Sequence, residues 1–348
     1  MGLYRLTATA FIFSWILLLQ TPPSYWAQDV QIDLIPGLDE IGSQIETVQV
    51  YRESGVDHQM FGIYDTGASV ISISVDDQSG FFLDLETPPP IPILQPGGAA
   101  AQGIGGDLVG DVSKPGTILA DGLHAFTLDL SDIFNMNPLI DTSHAISVPN
   151  IQTFVGTASG SASLPSITGT PIHSTGMVSK VDMQGYKLDF GDGLVFGIPD
   201  LKFVAPKTTD AVLPGTSFTP TPVRIPLQLL GENNYAHPGN SVTSGPNPVQ
   251  NSVALNQGTN AISGKTFLFD TGAQMTIIST KVAAALGLDL NAPATTIDVQ
   301  GAAGNSVSVP GYIIDSLELP RLDQNNAPIS DKLKITNVPV FVLDLGVD

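Results

Sequence analysis

Apolar and polar residues alternate along short stretches of this chain, and the stretches end at clusters of glycine and proline. Residues 45–51 alternate in this way, and residues 178–190 and 194–204 flank the turn Gly191-Asp192-Gly193. A period of two is typical of β-strands, and a glycine-containing turn between two strands is typical of a hairpin. The pattern therefore predicts a mostly β protein with many tight turns.

One stretch of the chain occurs twice. The first copy is FGIYDTGA at 61–68, and the second is FLFDTGA at 267–273. In each copy an apolar strand stops at Asp-Thr-Gly and continues as another apolar strand. Three residues repeat easily by chance, but two copies with matching flanks do not. The repeat therefore predicts an internal duplication.

The three residue types of the repeat point to a shared site. A carboxylate at the end of an apolar strand lies in a partly buried environment. Its charge must be shared or hydrogen-bonded there. The glycine permits a tight turn, and the threonine hydroxyl can both donate and accept, so two such loops can be tied together. For a single copy, a turn-forming or capping aspartate remains the alternative. Two copies favour a functional pair.

Asp-Thr-Gly-Ala between apolar strands resembles the active-site motif of aspartic peptidases, of the two-lobed pepsin-like kind and of the retropepsin kind. The resemblance implies that Asp65 and Asp270 are catalytic. It implies a mostly β, two-lobed acid-protease β-barrel fold with internal duplication and the active site between the lobes. The paired carboxylates would share one proton and activate a water molecule that attacks a peptide carbonyl. The loop-supporting residues would be Thr66, Gly67, Thr271 and Gly272.

A glycine-rich stretch, QGIGGDLVGDV at 102–112, resembles the flap of retropepsins, a hairpin that closes over the substrate. The resemblance assigns substrate binding to Gly103, Ile104, Gly105 and Gly106. Ile104 stands in the region where pepsins carry a flap tyrosine. An ordinary glycine-rich turn is the alternative. Residues 300–305 form a second flap-like stretch.

Residues 152–158 resemble the strand that lies beside the Asp loop in this family. Val155-Gly156 corresponds to the apolar-Gly pair of that strand. The two motifs are 205 residues apart, so an equal spacing would place the second Gly near position 361. The chain given ends at Asp348. Two expectations follow: a shorter second lobe that uses Leu345-Gly346, or a truncated second copy.

Two further elements are predicted in the second half. Ser279 or Thr280 can cap a short helix over 281–286 that ends at Gly287. Residues 231–264 are polar and rich in Asn and Gly, which predicts a mobile surface loop.

The domain organisation follows from composition. Residues 1–27 are typical of a signal peptide, with Arg5, an apolar core and Pro22-Pro23, and an uncleaved anchor is the alternative. Residues 28–205 form the predicted first lobe, 206–222 a linker, and 223–348 the second lobe. Residues 28–44 could alternatively be a short pro-segment. We therefore expect a secreted or otherwise extracytoplasmic protein.

Charge and composition narrow the function classes. The 348 residues include 13 Lys and Arg against 33 Asp and Glu, a net charge of −20 that disfavours nucleic acid as a partner. There is no cysteine, and the five histidines are scattered, so we expect no metal and no cofactor. The sequence predicts an exported, monomeric aspartic endopeptidase that acts on polypeptides. The rival is a non-catalytic exported binding protein with the same fold.

Overall fold

The computed structural model describes residues 30–36, 45–74, 89–103, 106–122, 145–157, 165–175, 178–189, 195–204, 223–230, 235–236, 242–300 and 306–344. The predicted signal peptide, the predicted linker, and Ile104 and Gly105 lie outside these ranges, as do residues 301–305 of the second flap-like stretch. None of the helices in the described ranges has the length and apolar character needed to cross a bilayer.

Nearly all of the described regular structure is β-strand, in two large sheets that each carry one Asp-Thr-Gly turn, which confirms the predicted mostly β, two-lobed fold. The described strands of the first sheet are β2 Ile35–Pro36, β3 Ile45–Glu53, β4 Val56–Tyr64, β5 Ser72–Ile73, β6 Ile93–Gly103, β7 Gly106–Ser113, β8 Gly116–Asp121, β9 Ile146–Ile151, β10 Phe154–Val155 and β11 Ile167–Thr168. A 3-10 helix, Thr170–Thr175, follows β11. The described strands of the second sheet are β14 Gln228–Leu230, β17 Asn247–Gln257, β18 Asn260–Leu268, β19 Ile277–Ile278, β20 Thr295–Gln300, β21 Ser306–Leu322 and β22 Pro328–Val342.

Two smaller sheets complete the described strands. One joins β1 Val30–Asp33, β13 Val195–Val204 and β12 Val178–Asp189, and β12 and β13 form the hairpin that the glycine turn predicts. The other joins β15 Tyr235–Ala236 and β16 Thr243–Ser244.

Each large sheet closes around its own apolar core. In the first lobe the core includes Tyr51, Ile71 and Ile151, each fully buried. In the second lobe it includes Leu255 and Val340. Burying one such side chain stabilises the fold by about 1.5–3 kcal/mol. The lobes are therefore separately packed bodies that meet at the two Asp-Thr-Gly turns.

The expectation of a mobile loop over 231–264 is wrong for its second part. Residues 247–257 and 260–268 form the hairpin of β17 and β18, and Val253 and Leu255 are fully buried. The polar residues are accounted for by the hairpin's exposed face and by its turn, where Gly258 has a φ of +56°. The short apolar run Val253-Ala254-Leu255, rather than the average polarity of the stretch, marked the buried strand.

The duplication is visible in the strand pairing. β10 runs parallel to β5, with Phe154 N–H donating to Ile71 O, and β22 runs parallel to β19, with Phe341 N–H donating to Thr276 O. Phe341-Val342-Leu343 is thus the counterpart of Phe154-Val155-Gly156. An offset of 205 would have placed it at 359–361, so the second half is shorter, and leucine replaces the glycine that served as the sequence signal.

One strand position beside the Asp loop is occupied in the first half of the chain but not among the described residues of the second half. β11 lies between β4 and β5, where Ile167 pairs with Ile63. No described strand takes the equivalent place between β18 and β19. Ile63 is accordingly 9% exposed, whereas its counterpart Leu268 is 43% exposed. The second Asp loop is the more open of the two.

The segment after the predicted signal peptide belongs to the fold. β1 pairs with β13, β2 pairs with β3, and the side chains of Ile32 and Leu34 are fully buried. A pro-segment over 28–44 could be removed only with two strands and two core side chains. The alternative of a removable pro-segment stays a prediction, and its removal would take these strands from the fold.

The short helix of the second lobe is confirmed. Helix α1 spans Thr280–Ala285, and the Ser279 hydroxyl accepts a hydrogen bond from Val282 N–H at 3.3 Å. Gly287, with a φ of +74°, follows the helix. The helix packs Ala283 into the second core beside β19, which steadies the strand that leaves the second Asp loop.

Candidate active site

The two Asp-Thr-Gly turns meet face to face. Asp65 follows β4 and Asp270 follows β18, and the two carboxyl groups are close enough for the charge of Asp270 to raise the pKa of Asp65. A Cβ added at Gly67 would lie 2.4 Å from the carboxyl carbon of Asp270, and one added at Gly272 would lie 2.6 Å from that of Asp65. Each carboxylate therefore lies against the peptide plane of the opposite loop, at a distance that only glycine permits.

The threonines tie the loops together reciprocally. Thr66 Oγ1 donates to Phe269 O at 2.5 Å and accepts from Thr271 N–H at 3.0 Å. Thr271 Oγ1 donates to Tyr64 O at 2.6 Å and accepts from Thr66 N–H at 3.2 Å. Each hydroxyl therefore makes both its donated and its accepted hydrogen bond with the other half of the chain. The spacing of the two aspartates is thus fixed by four hydrogen bonds between the halves.

Each aspartate is also oriented by its own loop. Asp65 Oδ1 accepts from the N–H groups of Gly67 at 2.8 Å and Ala68 at 3.1 Å. Asp270 Oδ1 accepts from Gly272 at 2.9 Å and Ala273 at 3.1 Å. The matching pattern leaves the other oxygen of each carboxyl group for the partner carboxyl and for a ligand.

The environment of Asp65 favours its protonated form. Burial raises the pKa of Asp65, the negative charge of Asp270 raises it further, and the hydrogen bond to Asp270 adds to the effect. The backbone N–H groups of Gly67 and Ala68 lower the pKa by a smaller amount. Two adjacent carboxyl groups cannot both ionise easily, so the pair titrates as a unit.

A buried tyrosine–histidine pair supports the first loop. Tyr64 directly precedes Asp65, and its hydroxyl lies 3.2 Å from His173 Nε2 on the 3-10 helix. Burial raises the pKa of Tyr64, and it lowers the pKa of His173 to about 4. His173 is therefore a neutral partner of Tyr64 at ordinary pH.

The glycine-rich stretch forms a hairpin over the first loop. Strands β6 and β7 pair up to Gly103 and Gly106, and Ile104 and Gly105 between them lie outside the described residues. Ala99 and Leu108 face inward and pack with Phe154, whereas Val109 is 58% exposed on the outer face. The hairpin has the form that a flap requires, and its role stays a prediction.

Sequence reasoning missed the residues at the start of β17 and just before it. Asn247 Nδ2 donates to Thr66 O at 3.2 Å and to Gly67 O at 3.4 Å, so a second-half side chain is bound to the first Asp loop. Gly245 N–H donates to Ser69 O at 2.8 Å. Because the segment lies within the polar stretch assigned to a surface loop, nothing in the sequence pointed to it.

Neither carboxylate belongs to a metal cluster in the part of the chain that the structure describes. No group of three or more His, Cys, Asp or Glu side chains there could hold a metal ion. The arrangement is instead that of two adjacent carboxyl groups, each bound to the backbone of its own loop and packed against the glycine of the other. Such a pair can hold a water molecule between its free oxygens and accept a proton from it.

Comparison with known proteins relates the second half of the chain to one family. Residues 252–348 match the family described as aspartyl protease, and this range includes Asp270 but not Asp65. One solved structure that the chain resembles is titled "Crystal structure of edgp"; the identity is 11%, the TM-score 0.37, and 92% of this chain and 91% of that chain are covered. No curated protein matches the chain.

Proposed function

We propose that this protein is an aspartic endopeptidase that hydrolyses peptide bonds with a water molecule activated by Asp65 and Asp270. The observation that carries the proposal is the reciprocal arrangement of the two loops, in which each carboxyl group lies against the glycine of the other. The aspartyl-protease match of residues 252–348 supports the same reaction class.

In the proposed mechanism the pair holds one proton. The ionised carboxylate takes a proton from the bound water as the water oxygen attacks the peptide carbonyl carbon, and the protonated carboxyl donates to the developing oxyanion. Collapse of the tetrahedral intermediate breaks the C–N bond, and a proton passes to the leaving nitrogen. The raised pKa of Asp65 supplies the protonated member at mildly acidic pH.

The hairpin of β6 and β7 is the proposed flap. As a flap it would exclude water from a bound polypeptide, with Gly103 and Gly106 on either side of its tip. We further propose export of the protein, on the basis of the signal-peptide pattern of residues 1–27. The substrate would then be an extracytoplasmic polypeptide.

Casein hydrolysis between pH 3 and 7 tests the proposed function. We expect activity that a statine-type inhibitor abolishes and that Asp65→Asn and Asp270→Asn each reduce by at least about 10³-fold. Asp298→Asn, at an exposed position on β20, is the matched control and should leave the rate unchanged. Hydrolysis by both active-site variants at the wild-type rate would overturn the assignment of Asp65 and Asp270, and absence of hydrolysis by the wild type would favour a non-catalytic binding protein of this fold.

A further inference from the structure

The six residues Val242 to Asn247, which we call the strap, cross from the second half of the chain to the first Asp loop. The strap includes β16 and ends at Asn247, the first residue of β17. Its backbone is bound on two sides: Gly245 N–H donates to Ser69 O at 2.8 Å, and Thr243 N–H donates to Gln152 O at 2.9 Å. The strap is therefore docked by main-chain hydrogen bonds.

The strap runs as an extended strand along the residues that leave the Asp65 loop. Ser244 forms an antiparallel bridge with Val70, and Gln152 N–H donates to Thr243 Oγ1 at 3.0 Å. An extended polypeptide that binds beside a loop by strand addition makes the same kind of contact. The strap thus occupies backbone positions that a bound polypeptide could otherwise use.

Val242 belongs to a small apolar cluster on the inner face of the hairpin. Its side chain is fully buried and packs with Ala99 and Leu108 of the hairpin and with Phe154, the residue paired with β5 beside the loop. Val70, which leaves the Asp65 loop, packs against the same cluster. A side chain of the second half of the chain therefore occupies space between the inner face of the hairpin and the residues that leave the Asp65 loop.

The strap is a fixed part of the fold. A Cβ added at Gly245 would lie 2.4 Å from Pro171 N, so the backbone there is in close contact with the 3-10 helix. Asn247 Nδ2 anchors the other end on Thr66 O and Gly67 O. Displacing the strap would break these hydrogen bonds and expose Val242 to water. A permanent wall fits these contacts better than a mobile lid.

We propose that the strap closes the groove on one side of the aspartate pair and that Val242 determines specificity there, by occupying the pocket that would receive a substrate side chain. The inference rests on the proposed peptidase function. On the blocked side the enzyme would accept small residues, and on the open side it would accept an extended polypeptide. Val242 is thus assigned as a specificity-determining residue.

Two sets of peptides test the assignment. They share one cleavable bond and carry either Gly or Leu at each flanking position in turn, and kcat/KM is measured for each. We expect Val242→Ala to raise the ratio of kcat/KM for the Leu peptide to kcat/KM for the Gly peptide about tenfold, at one flanking position only. Space for one or two methyl groups in an apolar pocket changes the discrimination between substrates by about this factor. Val242→Leu, which fills the pocket further, should lower the same ratio.

Val253→Ala is the matched control, because Val253 is equally buried but lies in the core of the second lobe. It should leave the ratio unchanged, and urea unfolding checks that each variant folds. Unchanged ratios in both Val242 variants of an active enzyme would overturn the strap assignment alone. Absence of any cleavage by the wild type would overturn the proposed function, and the assignment with it.

Discussion

At the scale of single residues, the structure depends on hydroxyls that serve the opposite half of the chain. Thr66 is 1% exposed. Its hydroxyl donates a hydrogen bond to Phe269 O and accepts one from Thr271 N–H. A valine of the same shape would leave a buried carbonyl and a buried N–H without partners. Unpaired buried groups cost more than a hydrogen bond gains.

Thr66→Val should therefore lower the free energy of unfolding by about 2–4 kcal/mol, since two partly buried backbone groups lose their partner at a cost of roughly 1–3 kcal/mol each. Thr66→Ser, which keeps the hydroxyl, should recover most of the loss. Urea unfolding followed by fluorescence measures the difference. Thr296→Val, at an exposed position on β20, controls for the substitution type. A neutral Thr66→Val would mean that the reciprocal bonds contribute nothing net.

The residue scale is also where sequence reasoning succeeded best. The meeting of the Asp65 and Asp270 loops was expected because the motif appears twice, and the catalytic role of the two aspartates stays a prediction. Ser279 or Thr280 was predicted as a helix cap because capping chemistry is local, and Ser279 is the cap. Val242 and Asn247 could not be predicted. Val242 packs with Ala99, Leu108 and Phe154, and Asn247 bonds Thr66, all far earlier in the chain, so no local pattern encodes that docking.

At the scale of elements, the two halves share strand order but differ in completeness. β11 covers the outer edge of β4, and Asp65 N–H donates to Thr168 O at 3.2 Å. The outer edge of β18 has no paired strand among the described residues. The doubled motif predicted both loops equally well. It could not predict this difference, because the sequence around β11 has no repeat signal.

Hydrogen exchange should report the difference directly. We expect the amide of Asp65 to exchange at least about tenfold more slowly than that of Asp270, because among the described residues only the first is bonded to a neighbouring strand and local opening governs exchange. NMR-detected exchange at pH 5 measures both amides in one sample. The amide of Phe269, which donates to Pro248 O at 2.9 Å, is the internal reference for a protected position in the second loop. Equal protection of Asp65 and Asp270 would show that the open edge is covered in solution.

At the scale of the whole molecule, two buried ionisable groups make the stability of the fold depend on pH in opposite directions. The raised pKa of Asp65 means that its contribution to stability is full at low pH and is lost as pH rises through its folded-state pKa, at about 7. His173 behaves in the opposite way. Its folded-state pKa of about 4 lies below the ordinary 6.5, so stability is full above pH 6.5 and is lost as pH falls toward 4.

His173→Gln should remove the acid-side loss, which is on the order of 3 kcal/mol for a shift of this size. Thermal unfolding between pH 4 and 7 measures it as a reduced slope below pH 6.5. Tyr64→Phe is the control: it removes the hydrogen bond to His173 but keeps the buried imidazole, so the slope should persist. An unchanged slope in His173→Gln would assign the acid sensitivity to other groups.

The pairing of β1 has a consequence for how the chain is made. Its partner β13 begins at Val195, and 161 residues lie between the two strands. At about 5–20 residues per second of synthesis, β1 waits roughly ten to thirty seconds for a partner. During that interval its backbone donors and acceptors are available to chaperones or to other nascent chains. Folding of this region should therefore be slow, and its yield should fall as the concentration of newly made chains rises.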